Sequence, residues 1–256
     1  MTTPCALCEF DPAEWNDQDT ARTLGRADYL LAHAVAGLPA SLQRAVDELP
    51  AWASPGLPAR PAMAVGGSAA VGATDRDAVH RLLHHVVAVA ELRAAAGDLP
   101  PSQYGAVVQV NASGGGVPKR SVTENVVGRG GLVGDRQRSR VHHGRPWQAL
   151  CLWSAEVIAA LAAEGHPVTA GAAGENLTIG GVDWASLRSG LVLEVGEVRC
   201  RLSVPAEPCS NINGCFAGTS SRRIDHDRHP GWSRWYATVL GGGVIRQGDV
   251  VVVAPR

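Results

Sequence analysis

The feature that most constrains this chain is a series of short β-rich runs, separated by glycines, that begins at about Tyr104 and continues to Arg256. The runs are 106–110, 147–153, 177–179, 191–195, 198–204, 236–240 and 250–253. One helix interrupts them: Ser154 is placed to cap residues 155–164, and Gly165 with Pro167 ends the helix. Many short strands with one helix predict a mainly β barrel with α elements, an α+β fold.

The N-terminal part has a different pattern, with two predicted helices. The first follows Asp17 or Asp19 as N-cap, has apolar residues at helical spacing as far as Val35, and ends at residues 37–39. The second opens at residues 74–77, and its apolar stripe is Val79, Leu82, Leu83, Val86 and Ala90. The intervening residues 49–73 are rich in Pro, Gly and Ala, which is typical of a long loop, either ordered or flexible. A boundary at residues 97–102 divides the chain into a helical region, 1–98, and a barrel domain, 104–256.

Charge and hydropathy exclude some classes of partner. The formal net charge is −1 and the isoelectric point is near 6.7, so nothing draws the whole molecule to nucleic acid or to an anionic membrane. No apolar run is long enough to span a membrane, and the first residues lack the features of a signal peptide. We therefore expect a cytoplasmic protein with neither a nucleic-acid nor a membrane partner.

The six cysteines are interpreted as metal ligands, reactive thiols or core residues, because a reducing compartment disfavours a disulfide framework. Cys209 is the best functional candidate, since Pro208 favours a fixed turn that presents its thiol. Arginines follow at Arg222 and Arg234, and nearby positive charge favours the thiolate that binds soft metals or accepts sulfane sulfur. The alternative is a small buried cysteine.

The order of motifs in the C-terminal part resembles the MOSC domain, the module found at the end of molybdenum-cofactor sulfurases and in small bacterial proteins. The motifs are Gly116-Val-Pro-Lys119, Gly131-Leu-Val-Gly-Asp135, His142-His-Gly144, Gly174-Glu-Asn-Leu-Thr-Ile179, Asp183 to Gly190, Val204-Pro-Ala-Glu-Pro-Cys209, Trp232 to Ala237 and Gly248-Asp-Val-Val. The resemblance implies a β-barrel that binds the molybdenum cofactor or handles activated sulfur, with its cysteine at Cys209. Some members reduce N-hydroxylated bases or amines with electron-transfer partners. No ferredoxin-type cysteine cluster follows the barrel here, so a complete reductase in one chain is not expected.

The candidate site follows from these motifs. Cys209, Lys119 and Glu175 are predicted as catalytic residues, and Asn176, Arg222, Arg234, Asp135 and His143 as cofactor-binding residues. Arginine and backbone donors suit the phosphate of a pterin cofactor. Glu175 and Asn176 either hydrogen-bond a pterin edge or relay a proton, or they organise a turn, and turn chemistry is equally open for Asp135 and His143.

The remaining cysteines and histidines of this part have plainer interpretations. Cys151 and Cys200 lie in apolar runs and are expected in the core. Cys215 either resolves a persulfide formed on Cys209 or has no role in its chemistry. His226 and His229 flank Asp227 as a possible metal set, although a solvated charged loop is the simpler interpretation.

A structural zinc ion is predicted for the N-terminal region, with Cys5, Cys8, His80 and His84 as ligands and His85 as a substitute. His80 and His84 are one helical turn apart, and zinc would stabilise a two-helix piece too small to hold a core alone. The alternative is inert cysteines and surface histidines. The start, Cys5 to Asp11, resembles that of DinB-like helical proteins, with Glu9 in place of glycine. The three-histidine site of the thiol transferases among those proteins cannot be assembled here.

Three functions follow. The first is an enzyme or sulfur-transfer component that does not use pyridoxal phosphate, in which Cys209 ligates molybdenum or carries a persulfide. It acts on a small-molecule or sulfur-bearing substrate, together with an electron-transfer or sulfur-donor protein. The second is a carrier that binds the cofactor or a sulfur-bearing ligand without turnover. The third is a zinc-dependent thiol transferase of the DinB-like type.

Overall fold

The computed structural model describes residues 15–50, 73–138, 143–218 and 220–255. The chain divides into two compact units, Met1–Leu99 and Pro100–Arg256. The described residues of the first unit form helices, and those of the second form mainly β-strands. None of the described helices is both long and apolar enough to cross a membrane.

The helical unit contains four described helices rather than two. They are α1 (Asp17–Leu24), α2 (Ala27–Ala34), α3 (Ala40–Asp47) and α4 (Ala73–Ala95). The single helix expected as far as Val35 is interrupted at Gly25, whose N–H caps α1 by donating to the Ala21 carbonyl (3.0 Å). The N-cap is Asn16, whose Oδ1 accepts from the Asp19 N–H (2.8 Å), and neither Asp17 nor Asp19 has this role.

These helices enclose a small core of their own. Leu30, Val79, Leu82 and Val89 are all buried. Arg93 is buried as well, and it pairs with Asp98 (2.7 Å). The expectation of a two-helix piece without a core was therefore wrong, because the break after α1 and the unexpected α3 supply additional packing faces.

The second unit has eleven described strands and one described α-helix. The strands are β1 (Gln103–Ala112), β2 (Arg120–Val122), β3 (Glu124–Gly128), β4 (Gly131–Leu132), β5 (Leu150–Ser154), β6 (Leu177–Gly180), β7 (Val192–Val195), β8 (Val198–Pro205), β9 (Trp235–Gly241), β10 (Gly243–Arg246) and β11 (Val250–Ala254). Helix α5 (Ala155–Ala163) begins where predicted, with the Ser154 hydroxyl accepting from the Glu156 and Val157 N–H groups (3.1 and 3.2 Å). The predicted α+β fold is confirmed.

Seven strands close into a barrel in the order β1-β11-β7-β8-β9-β5-β6 and back to β1. The closure joins the two ends of the domain, since Gln103 to Ala106 of β1 pair antiparallel with Val250 to Val253 of β11. Only β5 and β6 run parallel among these pairs, and α5 provides the crossover that parallel strands need. Strand β2 extends the sheet beyond β1, and β10, β3 and β4 form a separate small sheet. The barrel interior is filled by aliphatic side chains, among them Leu150, Leu152, Leu177 and Leu193.

Candidate functional site

A cleft in the barrel unit brings together residues from six separate segments of the chain. It leaves about 860 Å³ of space between its walls, part of it open to solvent. Its lining comprises Gly116, Val117, Lys119, Arg136, Gln137, Arg138, His143, Gln148, Cys151, Ala173, Gly174, Asn176, Cys209, Asn211, Ile212, Arg234 and Tyr236. Five of the predicted site residues are in this set: Cys209, Lys119, Asn176, Arg234 and His143.

Cys209 lies where the chain leaves β8, at the N-cap of a 3-10 turn formed by Ser210–Cys215. Its backbone is extended, and its carbonyl accepts hydrogen bonds from the Ile212 N–H and the Ser221 hydroxyl, both at 3.2 Å. The residue is partly exposed, in contrast to Cys151, Cys200 and Cys215, which are buried. The local backbone is therefore fixed while the thiol remains accessible from the cleft.

Lys119 and Asp135 form a buried ion pair in the cleft wall. Lys119 Nζ donates to Asp135 Oδ2 at 2.6 Å, and the two side chains are 7% and 3% exposed. The same carboxylate accepts from Asn176 Nδ2 (3.0 Å) and from the Ser113 N–H (2.8 Å). Asp135 thus lies behind the wall, where it orients Lys119 and Asn176 and neutralises the lysine charge.

The side chain and the backbone of Asn176 are both hydrogen-bonded within the barrel domain. Its Oδ1 accepts from the Cys151 N–H (3.0 Å), its own N–H donates to the Cys151 carbonyl (2.6 Å), and its carbonyl accepts from the Asn111 N–H (2.7 Å). Because both polar atoms of its side chain already have protein partners, the structure favours the organising role over a contact with a pterin edge.

Arg234 is a buried cation whose guanidinium is only partly hydrogen-bonded. It is 5% exposed, and its guanidinium donates to the carbonyls of Ala173 (2.5 Å) and Glu207 (3.5 Å). Its Nε has no hydrogen-bond partner, and it forms no ion pair with any carboxylate in the described part of the chain. Burying a charge without a counter-ion is costly, so this guanidinium is a ready binding group for an anion in the cleft.

The charged residues that line the cleft are all cations. Arg136 and Arg138 lie at its exposed rim, in addition to Lys119 and Arg234 inside, and no aspartate or glutamate is among the lining residues given above. Walls of one sign focus the field and raise the local concentration of an oppositely charged ligand. The near-neutral chain therefore carries a locally cationic site.

Glu175 lies behind the cleft wall and does not line it. It is fully buried, and its Oε1 accepts from the Gly171 N–H and the Thr178 hydroxyl (3.2 Å), while Oε2 has no partner. Burial raises the pKa of this carboxyl, although the hydrogen bonds and the Arg234 charge oppose the change. Its position makes Glu175 a support for the turn formed by Gly171, Ala172, Ala173 and Gly174 rather than a group that contacts a ligand.

Several further lining residues were not predicted to be part of the site. Tyr236 and Cys151 are cross-strand partners on β9 and β5, and His143 Nδ1 lies 3.1 Å from the Tyr236 hydroxyl. Cys151 was expected in the core, and it is buried but forms part of the cleft wall. The alternation of β9 was the available signal, because Tyr236 follows Arg234 by two residues and so points to the same face. The rim arginines Arg136 and Arg138 were missed because single arginines in a loop form no recognisable sequence motif.

Some predicted residues are not brought to the cleft. Arg222 is exposed on a different 3-10 turn, Ser221–Ile224. Cys215 is buried, with its Sγ donating to the Ala172 carbonyl (3.3 Å), and it does not line the cleft. Cys200 is in the core of β8, where burial raises the pKa of its thiol to about 12.

The predicted zinc ligands lie only partly within the described structure. His80 and His84 are on α4 with their ring centroids 6.1 Å apart, whereas Cys5 and Cys8 lie outside the described residues. In the part of the chain that is described, no three histidine, cysteine or acidic residues group as a metal site, and this includes His226, Asp227 and His229. The zinc clip stays a prediction.

The closed barrel with its cationic, thiol-bearing cleft is the part of the chain that the comparisons match. Residues 139–252 match the MOSC domain, and the seven-stranded barrel is consistent with the MOSC fold. No curated protein matches the chain by sequence. Nothing in these comparisons supports the DinB-like resemblance of the N-terminal region.

Solved structures similar to this chain include two proteins named YiiM and one named YuaD. YiiM from Escherichia coli is 24% identical, with a TM-score of 0.47, over 59% of this chain and 70% of that chain. YiiM from Geobacillus stearothermophilus is 25% identical, with a TM-score of 0.45, over 60% of this chain and 75% of that one. YuaD from Bacillus subtilis is 14% identical, with a TM-score of 0.47, over 59% of this chain and 96% of that one. These likenesses carry no argument about function.

Proposed function

We propose that the cleft binds the molybdenum cofactor, with the Cys209 thiolate as a ligand of the metal. The observation that carries the proposal is the placement of one accessible thiol in a cleft lined by four cations and by no carboxylate among the described lining residues. A thiolate is a soft ligand suited to such a metal, and the surrounding cations suit an anionic group attached to it.

The residues present fit this cofactor. Arg234, with its orphaned Nε, is suited to hold an anionic oxygen, and Arg136 and Arg138 can hold a phosphate nearer to the solvent. Lys119 contributes a donor whose charge Asp135 already balances. When bound, the cofactor would supply two-electron redox chemistry, for which an electron-transfer protein is the partner.

Sulfur transfer is the second candidate for the same thiol. The partly exposed position of Cys209 favours it, because a sulfur-donor protein must be able to reach the thiol that accepts the sulfur. In this function Cys209 carries a persulfide and the cationic cleft stabilises its negative charge. A carrier without turnover would bind either ligand and release it unchanged.

The test is metal and mass analysis of the full chain purified from a host that makes the cofactor. Wild-type protein is expected to hold molybdenum together with a pterin, and C209A to lose the molybdenum. C200A is the matched control, because Cys200 is a buried cysteine outside the cleft.

The outcomes separate the candidates. A mass gain of one sulfur on Cys209, removable by a thiol reductant and absent from C209A, would identify the persulfide carrier instead. Wild-type protein that holds neither molybdenum nor sulfur, or C209A that retains both, would refute the proposal that Cys209 is the binding group.

A further inference from the structure

Tyr236 occupies a fixed position in the cleft wall. It is the second residue of β9, Arg234 precedes it by two positions, and Cys151 faces it across the β5–β9 pair. Strand alternation and cross-strand pairing put these three side chains on one face, and all three line the cleft with Cys209. The Trp147 ring packs edge-on against the tyrosine ring, with the centroids 6.1 Å apart. The ring is thus 8% exposed and held from two sides.

The hydroxyl of Tyr236 has a histidine partner. His143 Nδ1 lies 3.1 Å from it, and His143 itself lines the cleft. In the tautomer with the proton on Nδ1, His143 donates to the tyrosine oxygen, and the tyrosine proton then points away from the histidine. Hydrogen bonds arranged in such a chain strengthen each other.

The Tyr236 hydroxyl stays protonated near neutral pH. Burial raises the pKa of Tyr236 most, the neighbouring Cys151 and Cys209 raise it further, and the charge of Arg234 opposes them. Two neighbouring donors in the cleft, Lys119 and Asn176, are already engaged with Asp135. Tyr236 is therefore a neutral donor with a proton to offer to a ligand.

We propose that Tyr236, held by His143, is a ligand-contacting residue that donates a hydrogen bond to an anionic oxygen of the molecule bound beside Cys209. The ligand then presents an oxyanion to a two-part receptor, with the guanidinium of Arg234 supplying charge and the phenol of Tyr236 supplying a directed donor. This inference deepens the proposed function and names the acceptor chemistry of its ligand.

Sulfate is a suitable probe, because it is a tetrahedral oxyanion whose charge does not change near neutral pH. Its dissociation constant is measured on the full chain without cofactor. Y236F is expected to weaken sulfate binding by about 10-fold or more, the usual consequence of losing a hydrogen bond to a charged group. Y104F is the matched control, since Tyr104 is 70% exposed and does not line the cleft, and it is expected to leave the affinity unchanged.

A spectroscopic readout on the unmutated chain guards against a variant that fails to fold. The protein has three tyrosines, so ¹³Cζ labelling gives three resonances. Saturation with sulfate is expected to shift the Tyr236 resonance and to leave those of Tyr29 and Tyr104 in place. An unmoved Tyr236 resonance in sulfate-saturated protein would overturn the contact.

The role of His143 is tested by substitution. H143Q is expected to weaken sulfate binding several-fold, because the Tyr236 hydroxyl loses the ring nitrogen that lies 3.1 Å from it. An unchanged sulfate affinity in H143Q would show that His143 does not position the tyrosine.

The inference and the proposed function can fail separately. If R234Q weakens sulfate binding while Y236F does not, the tyrosine contact is wrong and the cationic cleft stands. If Y236F weakens sulfate binding but wild-type protein never holds molybdenum, the contact stands and the cofactor assignment falls.

Discussion

At the scale of single residues, the two inner cations of the cleft differ in how their charge is balanced. Lys119 is neutralised by Asp135 at 2.6 Å, whereas the hydrogen bonds of the Arg234 guanidinium to described residues go to the carbonyl oxygens of Ala173 and Glu207. A buried guanidinium without a counter-ion lowers the stability of the folded protein until an anionic ligand pairs with it. Binding sites commonly contain such destabilising groups because they serve the ligand. The distinction explains why the two cations have different roles: Lys119 is positioned by its carboxylate and Arg234 is available to an anion.

Glu175 gives a prediction about pH and stability. Burial raises its pKa above the ordinary value of 4.5, so the folded state holds its proton at a pH where the unfolded chain has released it. Its contribution to the free energy of unfolding is therefore full below pH 4.5 and is lost as the pH rises through the folded-state pKa. E175Q retains the Oε1 acceptor for Gly171 and cannot titrate, so its stability is expected to fall less steeply over that range.

The measurement is urea unfolding of both proteins at several pH values, followed by tryptophan fluorescence. E156Q is the control, because Glu156 is largely accessible and its pKa, despite some burial, is lowered by hydrogen bonds from Gly181 and Ser154. Identical pH slopes for wild type and E175Q would show that Glu175 is ionised in the folded state.

Residue types and motif order singled out Cys209, Lys119, Asn176, Arg234 and His143, which line one cleft in the structure. The partners of these residues could not be found in that way, because they come from distant parts of the chain. The contact between His143 and Tyr236 spans 93 positions, and Asn176 and Asp135 are separated by 41. Only the folded barrel determines which of the many polar residues in its loops meet.

At the scale of elements, a short turn before β6 supports the two inner cations of the cleft, Lys119 and Arg234. The Gly171 carbonyl accepts from the Lys119 N–H (2.9 Å), its N–H donates to Glu175, and the Ala173 carbonyl accepts from Arg234. Gly171 has a φ of +83°, and a Cβ there would lie 2.6 Å from the Lys119 carbonyl oxygen. The turn therefore requires glycine for its backbone conformation and also for its close packing.

G171A is expected to lower the free energy of unfolding by about 3 kcal/mol, from left-handed strain plus displaced backbone. G165A separates the two causes, because Gly165 has a φ of +88° with nothing within 4 Å of its Cβ position. G165A is expected to lower the free energy of unfolding by about 1 kcal/mol. Urea unfolding measures both, and equal losses would mean that the turn relaxes without disturbing Lys119.

Strongly apolar elements were predictable from the sequence and weakly apolar ones were not. The runs that became β5, β6, β7 and β8 lie mostly in the barrel core, where hydrophobicity and position agree. Strands β2 and β3 are short and mostly exposed, so they have no apolar alternation to reveal them. The break between α1 and α2 was missed because the apolar spacing continues across it.

At the scale of the whole molecule, a net charge of −1 conceals a cleft with four cations among its lining residues. The barrel produces this local concentration by bringing loops from six segments to one place, while the acidic residues remain elsewhere or, like Asp135, behind the wall. The net charge of the chain therefore did not reveal the local charge of its cleft.

The central claim is that Cys209 is the reactive thiol of an anion-binding cleft, and the rate of its alkylation tests this most directly. Iodoacetamide is added to the native full chain, and the modification of each cysteine is followed by mass spectrometry with and without sulfate. Cys209 is expected to react well before Cys151, Cys200 and Cys215, which are buried, and sulfate is expected to slow its reaction. R234Q should remove the sulfate effect, and R199Q, an exposed arginine outside the cleft, should preserve it. If Cys209 reacts no faster than the buried cysteines, or sulfate gives it no protection in the wild-type protein, the account is contradicted.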